Sequence, residues 1–196
     1  MKHPNNTRRP ARRWGALAVL ALAGGLTLDA LAQQVCNPRL QRTRVDARYE
    51  SVAGAYPAGS EVRDKVTGFI WQRCLIGMSW SGSTCTGDPT RLDWKQALIA
   101  AASSTPSPAA VDATAAVWRL PNKAELLTLV ESGCYQPALN ASTFPSLPLL
   151  WDTRIVWASS PSNVVVSQAW VLDLFNGADD IRYIGNPYVA LLVRGP

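Results

Sequence analysis

The sequence predicts an α+β domain: two helices and a mostly antiparallel twisted sheet, joined by a long loop region and held by two disulfides. Three observations carry this. Two segments, Leu92–Ala101 and Asn122–Val130, place apolar residues at helical spacing behind a capping side chain. The later part of the chain alternates apolar and polar residues in short runs broken by Asn, Gly and Pro. Four cysteines, an even number, stand outside the leader.

Residues 1–32 read as a secretory signal and stand apart from the fold. Arg8, Arg9, Arg12 and Arg13 make a positive start, Gly15 to Leu28 an apolar run, and Ala30-Leu31-Ala32 a small-x-small cleavage pattern. The run is shorter than the roughly 20 residues that span a bilayer, so no membrane span is expected after cleavage. The mature chain is expected in the periplasm or at the cell surface. Residues 33–60 form a polar N-terminal lead-in, and 61–196 the domain.

Removing the leader changes the charge. Five of the 19 basic residues and one of the 14 acidic residues lie in it, leaving 14 against 13, a balance of +1. No nucleic-acid partner is expected from that balance. Arg39, Arg42, Arg44 and Arg48 make a local basic segment that reads as a solvated arm. The one histidine, His3, lies in the leader. Ser-His-Asp and Cys-His catalysis and a His-ligated zinc site are therefore excluded.

Cys36, Cys74, Cys85 and Cys134 in an exported chain argue for two disulfides. Three connectivities are open. The short Gly- and Ser-rich span between Cys74 and Cys85 favours that pair, which leaves Cys36 with Cys134. No CxxC pair favours a metal instead.

In chain order, Glu61 to Trp71 alternates around turns at Asp64-Lys65 and Gly68, and Phe69–Gln72 is an expected inner strand. The first helix follows, capped by Asp93, with Trp94, Ala97, Leu98 and Ala101 on one face. Pro106 and Pro108 mark a loop over 103–110. Trp118-Arg119-Leu120-Pro121-Asn122 then reads as a strand end feeding the second helix, with Asn122 and Glu125 as a capping box and Gly133 as its stop. A turn-rich excursion carries Pro137, Pro145 and Pro148. Trp157–Ser160 is a strand, and Ala169 to Gly177 an alternating strand ending in an Asn176-Gly177 turn. Asp180–Ile184 and Tyr188–Arg194 are expected to form a closing hairpin.

These residues resemble one bacterial family, the Lcl C-terminal domain, named after a collagen-like surface adhesin. Trp118, Arg119, Leu120, Pro121, Asn122 and Glu125 are similar to its signature WRLPNxxEL. Thr67-Gly68-Phe69 with Trp71 resembles its opening motif, and Trp71, Arg73, Cys74, Trp80 and Cys85 its cysteine-bearing variant. Cys134, Pro137, Asn140 and Phe144-Pro145 resemble its middle. The usual Gly-Gly-x-x-Asp lead-in to the signature is absent. The resemblance spans about 64–194 and implies a C-type-lectin-like fold and adhesion to, or recognition of, polysaccharide, including sulfated glycan.

Lectin-like sites lie in the loops before and between the late strands, so the candidate ligand-binding residues are Trp80, Trp151, Asp152, Asn163, Asn176, Asp179 and Asp180, with Asn140 beside them. The tryptophans offer apolar faces for sugar rings. The acids and amides suit Ca²⁺, which takes roughly six to eight oxygens. The EPN, QPD and WND triplets of calcium-dependent lectins are absent, so no cofactor is expected. No catalytic residue is expected either: a two-carboxylate glycosidase built on Asp152 and Asp173 has no spacing argument, and the cysteine pair and metal of the lectin-like formylglycine-generating enzymes have no counterpart. A protein-binding role in envelope assembly, with a surface protein as partner, is the alternative to glycan recognition.

Overall fold

The computed structural model describes Met1 and residues 34–55, 57–104 and 117–195. The expected leader and most of the loop expected at 103–110 lie outside the described residues. The elements are β1 (Val35–Cys36), a 3-10 turn at Asp46–Arg48, β2 (Tyr49–Ser51), β3 (Glu61–Asp64), β4 (Ile70–Gln72), β5 (Ser79–Trp80), β6 (Cys85–Thr86), α1 (Trp94–Ala102), α2 (Lys123–Leu127), β7 (Cys134–Tyr135), β8 (Ile155–Pro161), β9 (Gln168–Asp173), β10 (Asp179–Tyr183) and β11 (Val193–Arg194). Two helices with antiparallel strands make this an α+β fold. Cys36 is bonded to Cys134, and Cys74 to Cys85.

Each helix begins where a side chain can satisfy its free N–H groups. Asp93 accepts the Gln96 N–H at 2.7 Å and Asn122 the Glu125 N–H at 2.9 Å, and both are reciprocated in full capping boxes. Such a cap contributes about 1 kcal/mol. The second helix is shorter than the sequence suggests. It ends at Leu127, and Thr128, Leu129 and Val130 tighten into turns bonded three residues back. Gly133 is not its stop; it packs against Leu40.

The sheets run β11-β4-β3-β2 and β10-β9-β8, with β1-β7 and β5-β6 as small ribbons. The two larger sheets are stitched together by residues 188–194. Val189 makes a parallel bridge to Val156 on β8, while Val193 pairs with Trp71 on β4 and with Arg119. The expected closing hairpin therefore does not form: β10 pairs with β9, and the last run passes between β8 and β4. The physical reason is in the run itself. Val189 to Val193 is apolar at every position and fully covered, a pattern suited to a strand buried on both faces.

Side chains leave this run alternately in two directions. Val189, Leu191 and Val193 join a core with Leu126 and Leu129 of the α2 segment, whereas Ala190 and Leu192 join one with Ala97 and Ala101 of α1. The helices thus cover opposite faces. Trp71, Trp118 and Trp157 are the largest fully buried side chains.

The lead-in is bound to this body rather than free. Arg48 bonds Asp64 through Nε at 2.7 Å and through Nη2, and Arg44 Nε donates to the Thr128 carbonyl at 2.9 Å. The reading of these arginines as a solvated arm thus fails at its last two members. Buried Glu131 accepts the N–H groups of Thr43 and Arg44 at 2.7 and 2.6 Å, and fully buried Asn140 donates to the Arg44 carbonyl at 2.6 Å and to Asp46 at 2.8 Å.

Burial pushes the Asp64 and Glu131 carboxyls up. Bonds from Arg48, the Val66 N–H and Thr67 outweigh it at Asp64, as the backbone N–H groups of Arg44, Thr43 and Gly133 do at Glu131, and both end below their usual values. Each group binds its proton more weakly folded than unfolded. The stability it adds is complete above the ordinary carboxylate range and is lost as the pH falls through that range and below it. Thermal melts from about pH 6 to about pH 3 are expected to show a falling Tm. Glu131→Gln should flatten that fall, and an unchanged slope would remove Glu131 from the account.

Candidate functional site

The β9–β10 turn is the starting point because its shape is fixed by its own residues. The Asp173 carboxylate accepts the Phe175 N–H at 2.9 Å, the Gly177 N–H reaches the Asp173 carbonyl at 2.8 Å, and Asn176 accepts the Ala178 N–H at 3.0 Å. Gly177 has φ +75°, and a Cβ there would stand 2.6 Å from Val130. Only glycine fits both demands. The turn is tied to the loop after β7 by the Gln136 N–H, which donates to the Phe175 carbonyl at 2.7 Å.

Phe175 thereby becomes the middle of a strip. Its ring centroid lies 6.1 Å from that of Tyr135 and 5.1 Å from the Arg154 guanidinium. On its other side Arg154 covers Trp151, 4.4 Å from the ring centroid, and it bonds Asp173 at 3.1 Å. A guanidinium between two rings is a favourable cation–π arrangement, and here it braces a tryptophan that is 71% exposed. At the Tyr135 end the strip opens into a pocket of about 390 Å³, lined by Val35, Leu40, Cys134, Tyr135 and Asn176 among others. The Cys36–Cys134 bridge forms part of its wall.

Of the seven candidates, the strip gathers Trp151 and Asn176, with Asp152 at its margin, where Arg91 meets it at 2.7 Å. The other four lie elsewhere. Trp80 is half-buried in the β5–β6 ribbon, donating to the Ala58 carbonyl at 3.1 Å beneath the Arg73 guanidinium. Asn163 is exposed in the β8–β9 loop. Asp179 pairs with Lys123 at 2.5 Å, and Asp180 with Arg182. Asn140 is fully buried, with its amide engaged as described. Among the described residues no group of three or more His, Cys, Asp or Glu is placed to hold a metal ion.

Tyr135, Arg154 and Phe175 were missed in the sequence. A signal existed: Trp151 and Arg154 stand three apart, and Phe175 sits inside the turn that Asn176-Gly177 announced. The expected ligand-binding residues were oxygen-bearing side chains and the two tryptophans Trp80 and Trp151, with no tyrosine, phenylalanine or arginine among them.

The signature residues serve structure. Arg119 binds Glu125 through both guanidinium nitrogens at 2.6 and 2.7 Å, and Glu125 also accepts the Asn122 N–H at 2.7 Å. Trp118 is buried beneath the Arg194 guanidinium, Leu120 is buried in the α1-side core, and the Pro121 carbonyl accepts the Ser159 N–H at 2.8 Å.

Comparison with curated proteins and with solved structures returns no match. A family model does match, over residues 60–194, a span that takes in β3 through β11 and the whole signature. The chain belongs to the Lcl C-terminal domain family.

Proposed function

We propose that the chain is an exported, non-catalytic binding module that recognises polysaccharide in the periplasm or at the cell surface. Its contact surface is the strip Trp151–Arg154–Phe175–Tyr135 with the adjoining pocket. The observation that carries this is an exposed tryptophan covered by an arginine, in a strip whose other end, Tyr135, lines a pocket of about 390 Å³, within the range typical of small-ligand sites. Sugar rings present apolar faces that stack on such aromatics, and the guanidinium suits anionic substituents. Membership of an adhesin-type family supports the reading. So do two disulfides, which belong to oxidising compartments.

The frame proposed is C-type-lectin-like. Two helices precede the late strands, and β11 joins β4, β3 and β2 in one sheet, so early and late strands close on each other. No cation is needed for the contacts named.

A glycan array tests the reading. Binding is expected for the native chain, with an affinity loss of about tenfold, roughly 1.4 kcal/mol, in Trp151→Ala or Tyr135→Ala at unchanged Tm. Full affinity in both variants would defeat it. Silence on glycans, together with a protein recovered by crosslinking, would favour the envelope-assembly role instead. One observation favours that second role: Val164 and Val166 at the β8–β9 tip are 80% and 98% exposed.

A further inference from the structure

Among the described residues, strand β10 forms the free edge of its sheet. Free edges offer unpaired N–H and C=O groups to any other strand. The Asp173 N–H bonds the Ala178 carbonyl at 2.8 Å and the Ile184 N–H bonds the Ser167 carbonyl at 3.0 Å. With the register Asp180 to Val171 and Arg182 to Ala169, antiparallel alternation makes Asp180 and Arg182 the residues whose backbone faces β9. Ile181 lies between them and turns its N–H and C=O outward.

Neither outward group is open. The Asp180 carboxylate accepts the Ile181 N–H at 2.7 Å, Arg182 Nη1 donates to the Ile181 carbonyl at 3.1 Å, and the two side chains bond each other. The Tyr183 carbonyl is taken by the Asn186 N–H at 3.0 Å. We infer that Asp180 and Arg182 form an edge lock, capping the outward backbone of Ile181 so that β10 of a second copy of this chain cannot add to the sheet.

A second copy is the occupant the lock answers. Antiparallel pairing of two β10 strands about Ile181 is symmetric, so each copy presents the same surface to the other. Tyr183 and Ile184 are exposed at the end of the same strand, and the Ser167 carbonyl bonded by the Ile184 N–H places the end of the valine-bearing β8–β9 loop beside them. Apolar side chains thus border the capped edge, and an opened edge would have both backbone groups and apolar area to offer.

The test uses the full chain with Asp180→Thr and Arg182→Thr together, since threonine suits a strand and reaches neither outward group of Ile181 as the native pair does. Light scattering after size exclusion is expected to show a dimer fraction rising with concentration, at a loading where the native chain is monomeric. Adding Ile181→Pro should restore the monomer, because proline removes the outward N–H without touching a bond to β9. A double variant with native circular dichroism that stays monomeric overturns the inference, as do dimers that survive Ile181→Pro. A native chain that already dimerises and is dissolved by Ile181→Pro overturns it too. If the double variant does not fold, each single replacement is read in the same way: a larger dimer fraction than the native chain supports the lock, and an equal one overturns it.

Discussion

Replacing Arg194 with methionine is expected to cost about 3–5 kcal/mol of stability. Its guanidinium meets the Glu61 carboxylate at 2.6 Å, and each side chain is only 5% exposed. Removing the cation leaves a buried carboxylate with no opposite charge, at the seam where β11 joins the sheet that holds β3. The same guanidinium lies 5.1 Å from the Trp118 ring centroid, so packing is lost along with charge. Urea denaturation measures the effect. Combining Arg194→Met with Glu61→Leu should recover most of it, because no orphan charge then remains. A loss under about 1 kcal/mol in the single variant, the size seen for exposed pairs, would mean that water reaches the pair.

Replacing Cys36 and Cys134 with serine is expected to cost about 4–5 kcal/mol by chain entropy, since the bridge closes 98 residues of sequence. The consequence reaches the site. Strand β1 has only two residues, and Val35 and Cys36 line the pocket beside Tyr135. Without the covalent tie, β1 is expected to leave β7 before the body melts. Glycan affinity in the serine variant should therefore fall at temperatures where circular dichroism is still native. Binding that persists until global melting would show that the pocket holds its shape without the bridge.

The parts of the fold legible in the sequence were those set by near neighbours. Asn122 with Glu125, and Asp93 alone, announce helix starts because a cap acts on N–H groups within three residues of it. The Asn176-Gly177 turn and the inner strand, expected at Phe69–Gln72 and found at Ile70–Gln72, were similarly visible. What stayed hidden was partner choice. Tyr188–Arg194 reads as a strand, but nothing in its seven residues names β8 and β4 rather than β10 as neighbours. The basic segment of the lead-in looked solvated because its anchors, Glu131 and Asn140, lie more than 80 residues away. At the site, Trp151 and Arg154 stand three apart in one loop, but their meeting with Phe175 of the β9–β10 turn and Tyr135 of β7 joins distant segments, a relation that no local spacing encodes.

The element in the middle of the joined sheets is made of residues 188–194, which follow every other described element in the order of synthesis. Until those residues are made, β4 and β8 lack the strand that joins them and both cores lack the side chains of Val189 to Val193. Closure thus waits on translation of the last strand and then depends on contacts between distant parts of the chain, the kind that make folding slow.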